Sequence, residues 1–149
     1  MISEELEALD EEGVMVKFVG QVERFPADIQ KGIENIERET KNNKKITLFI
    51  ALSYGGRAEI LNAVSKILEN GGKKELTEAG FAKDLWTKDM PDPDLIIRTG
   101  GEMRLSNFLL WQSAYSELFF TDTYWPDFSK REFLKIISDF YKREKRFGR

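Results

Sequence analysis

Two kinds of pattern alternate along the chain: short apolar runs rich in β-branched residues, and longer stretches whose apolar positions recur at helical spacing. Val14–Val19 (VMVKFV) and Ile46–Leu52 (ITLFIAL) read as largely buried strands, the first closed by Gly20 and the second broken by Ser53-Tyr54-Gly55-Gly56-Arg57. Asp94–Arg98 (DLIIR) predicts a third strand and Leu118–Phe120 a fourth. Around them the helical signals are complete. Ser3 caps a helix that carries Leu6 and Leu9 on one face and stops at Gly13, and Pro26 opens a second with Ile29, Ile33 and Ile36 on its stripe. The third helix, with Ile60, Leu61, Val64, Ile67 and Leu68, ends at Gly71-Gly72. Thr77 with Glu78 starts a short one bearing Phe81 and Leu85, followed by a stiff Pro91-Asp92-Pro93 turn. A short helix is expected over Leu105–Gln112, and Ser129 with Glu132 makes a capping-box pattern ahead of Phe133, Ile136, Ile137 and Phe140. Strand and helix alternate throughout. The expected class is α/β, a parallel sheet flanked by helices with right-handed crossovers, in one domain spanning residues 1–149.

Composition narrows the chemistry. The 149 residues are 41% hydrophobic and 33% charged, enough for one globular core. With no cysteine there can be no disulfide, thiolate nucleophile, Fe–S cluster or thiolate zinc site, and with no histidine no Ser-His-Asp triad or imidazole metal cage. Any acid, base or metal ligand must be Asp, Glu, Lys, Tyr or backbone. Lys+Arg 23 against Asp+Glu 26 leaves a net charge of -3, so the overall field does not favour nucleic acid. The start, MISEELEALDEEG, has neither a basic n-region nor an apolar h-region, and the expected location is cytoplasmic. The apolar runs are far short of a membrane span, so any lipid contact would be peripheral.

In open α/β sheets ligands bind beyond the carboxyl ends of the strands. Two strands here end alike: ITLFIAL runs into Ser53-Tyr54-Gly55-Gly56-Arg57, and DLIIR into Thr99-Gly100-Gly101. A Gly-Gly pair permits a sharp turn and close approach to a ligand, and an arginine fork suits phosphate oxygens. One such ending alone is most simply a tight strand-to-helix turn. A second one, with Arg98, Arg104 and Ser106 close together, points to a pyrophosphate clamp. Glu117 is out of pattern in an apolar stretch; it is either an exposed residue before the strand or a ligand for a hard cation such as Mg²⁺. The basic run Lys142–Arg149 is either a solvated tail complementing a helix dipole or an anion-binding arm.

Longer motifs carry a resemblance. Asp94–Glu102 (DLIIRTGGE), Arg104–Gln112 (RLSNFLLWQ), Tyr115-Ser116-Glu117-Leu118 and Trp125-Pro126-Asp127-Phe128 closely resemble the signature of cis-prenyltransferases, the undecaprenyl pyrophosphate synthase family. Ser53–Arg57 and Arg146-Phe147-Gly148 match two further family motifs, so that the resemblance covers residues 14–148. It implies Mg²⁺-dependent condensation of isopentenyl pyrophosphate onto an allylic pyrophosphate, extending a cis-polyisoprenoid. By that resemblance Arg98, Arg104 and Ser106, with Gly100 and Gly101, hold the pyrophosphate of isopentenyl pyrophosphate, and Glu117 binds the metal. Arg146 and Gly148 match the family's terminal Arg-x-Gly, which reaches into the neighbouring subunit's site.

The departures are equally specific. Family members begin with a strand ending in Asp-Gly-Asn-Gly-Arg-Trp, whose aspartate binds Mg²⁺ and whose loop cradles the allylic pyrophosphate; no such segment stands in these 149 residues. Ser53 stands where relatives often carry Asn, and Met103 where they often carry His. The expectation is therefore a shortened family fold that holds the isopentenyl half-site and is inactive alone. A complementing chain would supply the allylic half, within a homo- or hetero-oligomer. The alternative is a non-catalytic accessory subunit or inactive fragment acting through the Arg146-x-Gly148 tail. Without its neighbours in the family sheet, Val14–Val19 is expected to become an exposed edge strand.

Overall fold

The computed structural model describes residues 8–72 and 76–143. They fall into two compact units, Met1–Met90 and Pro91–Arg149. In the first, a helical turn at 8–11 leads into β1 (Val14–Gly20), then α1 (Ala27–Thr40), β2 (Ile46–Leu52), α2 (Gly56–Glu69) and the short α3 (Glu78–Ala82). In the second, β3 (Leu95–Arg98) and β4 (Glu117–Phe120) precede α4 (Lys130–Lys142). Each unit contains one two-stranded parallel sheet, β1 with β2 and β3 with β4. The β-strand–helix alternation thus gives parallel pairing, as the pattern predicts.

The β1–β2 register runs from Val14 opposite Ile46 to Gly20 opposite Leu52. Val14, Val16 and Val19 of β1 are buried with Ile33 of α1, which packs on that strand. The edge of β1 away from β2 is not open. Alternate residues of a strand present their backbone groups to the same edge, and here Val14, Val16 and Phe18 each find a side chain there. Asn43 Nδ2 donates to the Val14 carbonyl at 3.0 Å, Val16 N–H donates to Thr40 Oγ1 at 3.0 Å, and Phe18 N–H donates to Glu37 Oε1 at 2.8 Å. Helix α1 and the turn after it therefore stand in for a neighbouring strand.

This corrects the expectation for Val14–Val19. The open edge belongs to β2: Ile46 is 61% and Leu48 39% exposed, and among the described residues no hydrogen bond beyond the β1 ladder involves this strand. An apolar strand with one unpaired edge invites pairing, so the feature foreseen from the sequence exists one strand further along.

Thr40 is 1% exposed and uses its hydroxyl twice, accepting from Val16 N–H and donating to the Ile36 carbonyl at 2.9 Å. Valine has the same shape without the acceptor. Thr40→Val is expected to cost about 1–3 kcal/mol, the price of a buried N–H left without a partner, read as a lower urea midpoint at unchanged slope.

The capping-box pattern at α4 forms by half. Ser129 Oγ accepts from Glu132 N–H at 3.2 Å. The Glu132 carboxylate does not reach back to the cap; its Oε1 accepts from Thr121 Oγ1 at 2.5 Å and Thr123 Oγ1 at 3.0 Å. The first turn of α4 is thereby tied to the loop that follows β4.

Candidate functional site

The carboxyl end of β3 is built by backbone turns that only glycine takes without strain. Gly100 and Gly101 have φ of 90° and 79°, in the left-handed region. Their N–H groups donate to the carbonyls of Thr123 and Thr121, both at 2.9 Å, and Thr121 N–H donates to the Arg98 carbonyl at 3.0 Å. A Cβ on Gly101 would sit 3.3 Å from Asp122 Oδ1. The strand pairing thus continues past Arg98 before the chain turns back.

The returning loop brings Arg98, Arg104 and Ser106 together, as their spacing suggested. Arg98 Nη1 donates to Ser106 Oγ at 2.7 Å and to the Arg104 carbonyl, and Arg104 Nε donates to the same Ser106 Oγ at 3.2 Å. Two guanidinium groups converge on one hydroxyl oxygen. Arg104 also pairs with the Glu102 carboxylate, with side chains 62% and 49% exposed, an arrangement that orients the fork while adding little net stability. Planar forks in fixed positions at a solvent-facing strand end are suited to bidentate contact with phosphate oxygens.

A helix over Leu105–Gln112 does not form. Ser106, Asn107 and Leu109 have φ of 48°, 68° and 46°, incompatible with a right-handed helix, and residues 106–115 run as successive turns. Leu105, Phe108 and Leu109 fall at helical spacing, and of these only Leu109 is buried. The tight turn at Ser106-Asn107 is what presents the Ser106 hydroxyl to both arginines.

Glu117 is placed elsewhere. It opens β4 and lies opposite Leu95, whereas Arg98 lies opposite Phe120. The clamp and Glu117 therefore stand at opposite ends of the strand pair, about 10 Å apart along it at the usual rise per residue. Glu117 is part of β4, not an exposed residue ahead of it, and its carboxylate accepts from Arg143 Nη1 at 2.6 Å. The Arg143 guanidinium also lies 3.9 Å from the centroid of the Phe119 ring, a cation–π contact that holds it in place.

Mg²⁺ usually takes one or two carboxylates together with substrate phosphates and water. Among the described residues no three of His, Cys, Asp and Glu converge, and the one carboxylate singled out, Glu117, is already paired with a cation. Glu117 supplies a single carboxylate toward a site that substrate phosphates and water would have to complete. Arg146 and Gly148 lie outside the described residues.

The other Gly-Gly ending differs in detail. The turn after β2 is carried by Ser53, at φ 46°, while Gly55 is extended at φ -159° and Gly56 starts α2. Gly55 and Gly56 are buried and Arg57 is exposed. Sequence reasoning treated the two glycines as the turn; in the structure they are the buried cap and first residue of α2. It took Gly20 only as the end of a strand and passed over Glu59, whereas both support this loop. The signal for Glu59 is a carboxylate on the buried face of an otherwise apolar helix start.

Comparisons with known proteins identify the family. Residues 1–148 match the sequence profile of the prenyltransferase family described as "Putative undecaprenyl diphosphate synthase". The chain is 54% identical over 151 aligned residues to an isoprenyl transferase of Thermotoga maritima, covering 99% of this chain and 65% of that protein. It is 57% identical over 129 residues to the isoprenyl transferase of Fusobacterium nucleatum, covering 87% and 55%. The crystal structure of a "probable undecaprenyl diphosphate synthase" from Campylobacter jejuni superposes with a TM-score of 0.88 at 37% identity, covering 99% of this chain and 69% of that one. Lavandulyl diphosphate synthase from Lavandula x intermedia, solved in complex with dimethylallyl diphosphate, gives 0.90 at 32% identity, covering 97% and 64%. The chain belongs to the cis-prenyltransferase family of undecaprenyl diphosphate synthases and has its α/β fold. It spans 65% and 55% of the length of the two isoprenyl transferases. No helix among the described residues is long and apolar enough to cross a membrane.

Proposed function

We propose that this chain, acting as a single domain, carries the isopentenyl pyrophosphate half of a cis-prenyltransferase site. The observation that carries the reading is the convergence of Arg98 and Arg104 on Ser106 at the carboxyl end of β3. In the condensation, the double bond of isopentenyl pyrophosphate attacks the allylic carbon, a carbon–carbon bond forms, pyrophosphate leaves the allylic partner, and a proton is lost from the new chain. Arg98, Arg104 and Ser106, with the glycine turn at Gly100 and Gly101, hold the pyrophosphate of the attacking substrate and so fix where its double bond lies. The solved lavandulyl synthase, with dimethylallyl diphosphate bound, supports a diphosphate ligand for this fold.

The allylic half of the site, including the Asp-Gly-Asn-Gly-Arg segment that these 149 residues do not contain, is assigned to further polypeptide. The open β2 edge supports an assembly in which such polypeptide is present. Magnesium dependence follows from the family and not from the described residues, and no step is assigned to the metal here.

The test is reconstitution. The chain alone, given isopentenyl and allylic pyrophosphates with Mg²⁺, is expected to give no product, and addition of a polypeptide carrying the Asp-Gly-Asn-Gly-Arg segment is expected to give turnover that Arg98→Ala abolishes. Turnover that survives Arg98→Ala but is lost on substitution of Gly148 would instead make the chain an accessory subunit working through its tail.

A further inference from the structure

A carboxylate in an apolar interior is costly unless hydrogen bonds satisfy it, and Glu59 of α2 is 1% exposed. Its two oxygens are divided between two segments. Oε1 accepts from Thr87 N–H at 3.0 Å and Thr87 Oγ1 at 2.8 Å, while Oε2 accepts from Tyr54 Oη at 2.6 Å. Thr87 is itself 3% exposed. The Tyr54 ring meets Trp86 edge-on, with centroids 6.2 Å apart. One buried side chain thus ties the loop after β2 to the segment after α3, within the first unit.

Packing alone would be served at least as well by leucine, which needs no partners. What a carboxylate adds is geometry: an acceptor-only group with two oxygens can satisfy three donors at once, and such a network holds one arrangement. The loop it holds needs holding. Ser53 is in the left-handed region at φ 46°, a conformation that surrounding structure must enforce, and Tyr54 is the next residue.

We infer that Glu59 is a positioning residue: acting through the Tyr54 hydroxyl, it sets the course of the Ser53–Arg57 loop at the carboxyl end of β2. Its effect is on the loop itself and does not depend on the half-site reading above. Tyr54→Phe is the decisive variant, because it removes one hydroxyl and leaves the ring against Trp86. Glu59→Gln keeps an oxygen for Thr87 and serves as the conservative comparison. Glu59→Ala alone would not decide the matter, since it opens a cavity and can simply unfold the unit.

The experiment is amide hydrogen exchange on the full chain. Tyr54→Phe is expected to speed exchange across residues 53–57 by at least tenfold, with β1 unchanged. Glu59→Gln is expected to fall between it and the parent chain. Unchanged exchange across residues 53–57 in Tyr54→Phe would overturn the inference, as would uniform acceleration across the whole unit.

Discussion

Gly20→Ala is expected to destabilise the first unit severely. Gly20 closes β1 opposite Leu52, at φ +118°. A Cβ there would lie 2.1 Å from the Leu52 carbonyl oxygen, 3.1 Å from its carbon and 3.3 Å from Tyr54 Cα. All three are backbone atoms, so no side-chain rotation relieves the clash. The dihedral alone costs an L-residue about 1–3 kcal/mol, and forcing atoms into filled space costs about 1–3 kcal/mol more. The expected loss is at least about 3 kcal/mol, a large share of the ~5–15 kcal/mol that a typical domain has in total. Gly32→Ala is the control. Gly32 lies within α1 with nothing inside 4 Å of an added Cβ, and there alanine should stabilise by about 0.5–1 kcal/mol through its better helix propensity. Urea unfolding of both variants checks the pair. A Gly20→Ala midpoint equal to that of the parent chain would show that the β2 loop does not cross the strand end as described.

Arg98→Ala is expected to have the largest effect on ligand binding. Arg98 stands at the end of β3 and holds both Ser106 and the Arg104 carbonyl, so its loss removes one fork and releases the loop that aims the other. A hydrogen bond to a charged group is worth about 1.5–3 kcal/mol, which corresponds to roughly 10- to 150-fold in affinity for isopentenyl pyrophosphate. Because Arg98 lies at a partly exposed strand end, the unfolding midpoint should move little. Arg98→Lys should recover only part of the loss, since an ammonium cannot reproduce the planar fork. Titration calorimetry gives the affinity and thermal unfolding gives the stability. A large drop in both would mean that Arg98 chiefly supports the fold.

The strands were legible because β-branched runs bounded by glycine and proline have few alternative readings, and α1, α2 and α4 because their apolar stripes are long. The motif around Arg98 was legible as chemistry because two arginines and a serine this close in sequence, after a strand and a glycine pair, can reach one another through a single turn. The segment 105–112 was misread because its apolar spacing is helical, while the left-handed turn at Ser106-Asn107 is a local choice that periodicity does not report. The location of the open edge was misjudged for a related reason. Thr40, Glu37 and Asn43 look like ordinary polar residues of a helix and its end, and only the fold shows that they cap β1. Glu117 stood out only as a carboxylate in an apolar stretch; parallel register puts it at the far end of the strand pair from Arg98, and the fold sets it beside an arginine 26 residues later in the chain.

The central claim is that the clamp at the end of β3 takes the pyrophosphate of isopentenyl pyrophosphate without help from another chain. Isothermal titration of isopentenyl pyrophosphate into the full, folded chain in magnesium-containing buffer tests it most directly. Saturable heat that inorganic pyrophosphate competes away and that Arg98→Ala loses is the predicted result. A folded chain that gives no saturable heat, or one whose binding is the same in Arg98→Ala, would contradict it.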